Sequence, residues 1–147
     1  AAEVEWVTGV AVKRPGPVEG EPVLGLIEEE VEIEALVALP HPPAVKIEEA
    51  AAEVGRWTWR AEEEEVAGMG ELRLRVTYSG RDGIVRSWQE KRSCALSFPC
   101  PAARQGLVVR GGLRVKEVSP QLLTAHGLPW GREVMARVVL AADLVLV

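Results

Sequence analysis

Apolar and polar residues alternate with a period of two over most of this chain. From residue 72 to 78, Leu72, Leu74, Val76 and Tyr78 interleave with Arg73, Arg75 and Thr77. In an extended backbone successive side chains point to opposite faces, so the run predicts a strand with one apolar and one wet face. Ser79-Gly80-Arg81-Asp82-Gly83 follows, and Gly and Asp there tolerate the positive φ of a tight turn. The chain returns with Cys94, Leu96 and Phe98 on one side and Ala95 and Ser97 on the other. It stops at Phe98-Pro99-Cys100-Pro101, because proline cannot donate to a ladder. Residues 70–100 therefore predict a long β-hairpin.

The same reading extends in both directions. Residues 3–12 alternate loosely around Val4, Trp6 and Val10 and read as a strand, followed by a loop rich in Pro and Gly up to Pro22. A short apolar run over 23–27 precedes a clear alternation, in which Glu30, Glu32 and Glu34 oppose Val31, Ile33, Ala35 and Val37. A helix would scatter those glutamates, so a strand is predicted up to Leu39-Pro40-His41-Pro42-Pro43. Residues 44–61 carry two signals. Glu48 to Glu53 are strong helix formers, whereas Trp57-Thr58-Trp59 is strand-like.

Residues 107–118 predict a further strand with a bulge at Gly111-Gly112. Ser119-Pro120 has the form of a helix N-cap followed by a first-turn proline, which predicts one helical turn over 119–123. The last strand, over 132–147, is apolar on both faces. Val134, Ala136, Val138, Leu140, Leu144 and Leu146 share one face, and Val139, Ala141, Val145 and Val147 share the other. Such a strand is central or covered on both sides.

Val37-Ala38-Leu39-Pro40-His41-Pro42 is echoed by Leu96-Ser97-Phe98-Pro99-Cys100-Pro101. The expected fold is an all-β sandwich of two hairpin-based, pseudo-symmetric units, with candidate halves 1–69 and 70–147. A chain of 147 residues is long enough to bury one core as a single domain.

Charge changes the picture. The net charge of −5 argues against nucleic acid as a general partner. Its placement is uneven. Residues 1–65 hold 5 Lys/Arg against 16 Asp/Glu, a net of −11, while residues 66–147 hold 12 against 6, a net of +6. Two readings are open: the halves neutralise each other within one fold, or the acidic surface of one copy meets the basic surface of the next. No apolar run approaches the roughly 20 residues that span a bilayer. No signal-peptide pattern is present, and Ala1 reads as a trimmed start or a cleavage product.

Candidate chemistry is sparse. His41 lies between prolines and His126 lies in a loop, neither with a Cys or carboxylate at ligand spacing. No nucleophile elbow, P-loop or dinucleotide-binding glycine motif occurs, and Gly68-Met69-Gly70 reads as strand entry. The Glu62–Glu65 run reads as a solvated edge that discourages aggregation, with a calcium site as the weaker alternative. The expectation is no enzyme, no metal and no cofactor.

Cys94 and Cys100 lie six residues apart on one predicted strand, about 20 Å when extended, too far for a disulfide between them. They read as ordinary thiols, with Cys94 in the core. The alternative is a cross-chain bond through a more exposed Cys100 in an oxidising setting. Trp57, Trp59, Trp88 and Trp130 read either as core and rim packing or as contact groups, since Trp dominates interface hot spots. The candidate assembly residues are Trp57, Trp59, Trp88, Trp130 and Cys100.

A strand ending Leu39-Pro40, then Val45-Lys46-Ile47-Glu48-Glu49, then Gly70-Glu71-Leu72 leading to Val76-Thr77-Tyr78, a turn, Leu96-Ser97-Phe98-Pro99 and an apolar closing strand follow in order. This series resembles the SPOCS domain of spore coat and cortex morphogenetic proteins of endospore-forming bacteria, over residues 28–147. The chain departs from the family's Pro-Phe-Ser in having Ser97-Phe98-Pro99-Cys100. The resemblance favours strand over helix for residues 45–60. It implies a non-enzymatic protein of the spore coat or surface, whose partners are its own copies and other coat proteins. No LysM segment follows, so it is similar to the stand-alone members. Coat layer and filament subunit are both open, and binding of envelope peptidoglycan through Trp57 and Trp59 is the alternative.

Overall fold

The computed structural model describes residues 22–147, which form six strands: β1 (Gly25–Ala38), β2 (Ala44–Glu62), β3 (Glu65–Gly80), β4 (Val85–Pro99), β5 (Val109–Leu123) and β6 (Glu133–Leu146). The strand expected over 3–12, with Trp6, and the loop after it lie outside the described residues. The strands make two three-stranded antiparallel sheets, ordered β1-β6-β5 and β2-β3-β4. Buried residues of both sheets meet between them, which makes the all-β sandwich expected from alternation. Among the described residues no helix is long and apolar enough to cross a membrane.

Each central strand supplies the core. Leu72, Leu74, Val76 and Tyr78 of β3 are buried, and so are Val134, Ala136, Val138, Leu140, Leu144 and Leu146 of β6. The β1 residues Ala35 and Val37 are buried opposite them, with Glu30, Glu32 and Glu34 exposed, as the alternation requires. A buried Leu or Val side chain contributes about 1.5–3 kcal/mol relative to exposure, so these rows fix the register.

The sequence echo has a structural counterpart. Leu39-Pro40 leads the chain from the first sheet to the second, and Phe98-Pro99 leads it back. β2-β3-β4 is one meander, and β5-β6-β1 is the other, closed through the two ends of the chain. The two meanders therefore do not coincide with the expected halves, and the boundary between residues 69 and 70 falls inside β3.

Two further expectations are corrected. Residues 119–123 are strand, not a helical turn: Ser119 to Leu123 pair with Arg137 to Glu133 of β6. β5 is an edge strand, so Pro120 sits in the ladder with its missing N–H on the unpaired side, and the packing of Leu122 against the core outweighs the local N-cap signal. The β5 bulge lies between Val115 and Glu117, not at the glycines. Gly111 instead adopts φ 128°, and a Cβ there would come within 2.1 Å of the Asp143 carbonyl oxygen. The strand reading of residues 44–61, by contrast, agrees with the structure, which adds register shifts at Ala44/Lys46, Ile47/Glu49 and Val54/Trp57.

The two lateral sides of the sandwich differ. On one, β2 lies alongside β5, and Ala44 and Gly131 exchange two backbone hydrogen bonds of 2.8 Å. On the other, the Arg92 guanidinium of β4 donates to the Leu36 carbonyl of β1. All four edge strands carry features that discourage further pairing: register shifts in β2, a shift and Pro120 in β5, glutamates along β1, and Arg86, Glu90 and Arg92 at core-parity positions of β4.

Candidate functional site

The expected contact residues turn inward. Trp57 and Trp59 pair across the β2–β3 ladder with Gly70 and Gly68. A Cβ at Gly68 would lie 2.3 Å from the Trp59 ring, and one at Gly70 would lie 2.4 Å from the Arg56 carbonyl oxygen and 2.5 Å from the Trp57 ring. These glycines are not strand entry; they leave room for two indoles to lie on the backbone. Trp59 continues the stack to Trp57 at 5.8 Å and to Phe98 at 6.1 Å between centroids. The Trp57 Nε1 is buried with no hydrogen-bond partner. Each indole thus has a face laid on a glycine of β3, while both side chains are only partly buried.

Trp88 packs against the core, and its Nε1 donates to Glu90 Oε1 at 2.9 Å, while Glu90 also accepts from Arg92 Nε. This bridged network fills the side of the sandwich between β4 and β1. Trp130, in the β5–β6 connection, is half-buried and carries the Arg81 guanidinium 4.1 Å from its ring centroid. Cys100 is not the exposed thiol expected. It is 5% exposed, within the cluster of Ile27, Phe98, Leu144 and Leu146, whereas Cys94 is half-buried and burial pushes its thiol pKa up. Neither the rise nor the burial favours a reactive thiolate.

Among the described residues the histidines lie apart. His41 lies in the β1–β2 crossing and His126 in the β5–β6 connection. Among the described residues no three His, Cys, Asp or Glu side chains gather at metal-binding distance. Glu62 to Glu65 instead form the β2–β3 hairpin turn, with Glu64 at φ 62°. The carboxyl of Asp82 is held down at about 2 by the Arg86 side chain that donates to it and by the Ile84 N–H. Asp82 thereby closes the β3–β4 turn, a structural role.

Part of the uneven charge is paired within the chain. Arg73 pairs with Glu53 at 2.7 Å and Arg75 with Glu49 at 3.8 Å on one sheet. Arg137 pairs with Glu32 at 3.2 Å, and Lys116 pairs with Glu30, on the other. In each pair the acid comes from residues 1–65 and the base from residues 66–147. All are exposed, so each contributes about 0.2–1 kcal/mol.

What remains is a contrast between the two outer faces. The outer positions of β3 include Ala67 and the exposed Met69 towards one end, then Glu71, Arg73, Arg75 and Thr77; two shallow depressions lie along this sheet, one lined by Arg56, Thr58, Met69 and Glu71 and one by Glu53, Arg75 and Lys91, with Arg73 in both. The outer positions of β6 include Val139, Ala141 and Val145. At one end of that face Leu24, Leu26 and Val108 are 48%, 60% and 50% exposed, and Val145 and Val147 lie between them. Five apolar side chains on and just beyond the ends of β1, β5 and β6 gather there, with Arg110 beside Val145, as a patch of the kind that marks an interaction surface. Sequence reasoning identified the two-faced β6 but not this patch. Its members come from the apolar run over 23–27, the start of the strand predicted over 107–118 and the end of the last strand, and only the register brings them together.

A scan against protein-family models finds no match, and no curated protein and no solved structure matches the chain.

Proposed function

We propose that this chain is a non-enzymatic structural module that assembles with copies of itself, as a coat-layer or filament subunit at the spore surface of an endospore-forming bacterium. The resemblance of residues 28–147 to SPOCS domains motivates the setting. The observation that carries the assembly reading is the apolar patch of Leu24, Leu26, Val108, Val145 and Val147. The guarded edges favour contact through a sheet face over strand-to-strand addition. Other coat proteins are further candidate partners.

Sedimentation of the purified full chain over a wide concentration range tests the reading, together with negative-stain microscopy. Concentration-dependent mass growth, with ordered sheets or fibres at the upper end, is expected. A monomer throughout, with retention on purified peptidoglycan, would replace it with the glycan-binding alternative.

A further inference from the structure

We infer that a second copy of this chain docks face to face on the outer side of the β1–β6–β5 sheet, about a twofold axis roughly parallel to β6. The inference rests on the self-assembly reading and adds its face and orientation. Two features of this face point to the same axis.

The first is charge. β1 carries Glu28, Glu30, Glu32 and Glu34 along one flank of β6. β5 carries Arg110, Arg114 and Lys116 along the other flank, interrupted by Glu117. A rotation of 180° about an axis along β6 exchanges the flanks. It sets Glu30 of each copy level with Arg114 and Lys116 of the other, twice, with Glu28 between the levels of Arg110 and Arg114, while Glu32 falls level with Glu117 and Glu34 with Ser119. An axis across the strands would set glutamates over glutamates.

The second is the apolar patch, which occupies one end of the face only. The axis along β6 keeps that end over the same end of the partner, so patch meets patch. The axis across the strands would bring the patch against the opposite end.

The central strand supplies the side chains nearest the axis. Val139 and Val145 meet their own counterparts. So do Asp143 and Arg137, but each already holds an opposite charge, Arg114 at 3.9 Å and Glu32 at 3.2 Å. The Lys116–Glu30 pair, which links the two flanks across β6, is exposed and exchanges partners between copies at little cost.

A residue on a twofold axis faces itself, and that property is the test. Full-length Val145→Cys, oxidised mildly at a concentration where the wild type associates, should form a disulfide dimer at least about tenfold faster than Met69→Cys, since docking raises the local thiol concentration. Met69 is 66% exposed on the outer face of the other sheet and serves as the reference, and the wild type controls for Cys94 and Cys100. Val139→Cys is the second variant should Val145→Cys fold poorly. Glu30→Arg/Glu32→Arg and Arg114→Glu/Lys116→Glu should each lose dimer, and mixing the two should restore it.

An associating wild type whose Val139→Cys and Val145→Cys variants link no faster than Met69→Cys overturns the face and axis but leaves self-assembly standing. A wild type that never associates removes both. A monomer in which the thiol of Val145→Cys resists alkylation until unfolding would give the patch to residues 1–21 of the same chain and likewise overturn the inference.

Discussion

β3 and β6 hold equivalent places, each central in a three-stranded meander, yet their outer faces differ in kind. β3 shows Glu71, Arg73, Arg75 and Thr77 to solvent, with Arg73 and Arg75 paired to glutamates of β2. The outer row of β6 holds Val139, Ala141 and Val145 between the exposed Arg137 and Asp143, with Val139 and Val145 half-buried and Ala141 buried. The inner faces are alike, so core formation explains neither choice. A solvated sheet needs only a polar outer row. Apolar residues on the outer face of a central strand lose nothing only if something covers them, and here ion pairs cover part of the row and the patch remains open.

The largest effects should be equal on the two strands. Leu140→Ala and Leu74→Ala, both in buried inner rows, should each lower unfolding free energy by about 2–5 kcal/mol in urea titration. Unequal losses beyond that range would mean that the two sheets do not share one core. Next come the glycines that only the β3 sheet uses under indoles. Gly70→Ala should cost about 1–3 kcal/mol, because its Cβ meets a carbonyl oxygen that cannot move freely. Trp fluorescence should shift in parallel, and an unchanged midpoint and spectrum would refute the indole-on-glycine packing.

The outer faces should then part company. Val145→Asp should weaken self-association at least about tenfold, equivalent to about 1.4 kcal/mol or more, with folding retained. Thr77→Asp on β3 should leave association unchanged. Sedimentation reads both, and equal behaviour would erase the distinction between the faces.

The smallest effect concerns the β3–β4 turn. The Asp82 carboxyl is lowered in the folded state from 3.8 to about 2, chiefly by the Arg86 hydrogen bonds. A depressed folded pKa contributes stability that is present above about pH 4 and lost as pH falls towards 2. Asp82→Asn should therefore flatten the acid limb of a stability–pH curve slightly over that window. The group is fully exposed, so a large change would contradict a purely local turn contact.

Much of this architecture was legible in the sequence because burial writes itself as alternation. The inner rows of β1, β3 and β6, and the central place of β6, follow from period two alone. The proline echo marked the two crossings between sheets, although the expected halves do not coincide with the two meanders, since the second meander is visible only once β1 is seen beside β6. Ser119-Pro120 misled because local capping chemistry competes with an edge strand's freedom to hold proline. The Trp–Gly pairing was readable in principle. Counting outward from the Glu62–Glu65 turn sets Trp59 opposite Gly68 and Trp57 opposite Gly70. The burial of Cys100 was not, because it depends on the crossing folding back beside Gly25, where a Cβ would lie 3.2 Å from the Cys100 sulfur.

Methyl chemical shifts, followed as the full chain is concentrated, compare the two outer faces in one experiment. The Val139 and Val145 methyls should move with association while the Met69 methyl stays fixed. Movement at Met69 with Val139 and Val145 unchanged would contradict the claim that the β1–β6–β5 face is the one built to be covered by a second copy.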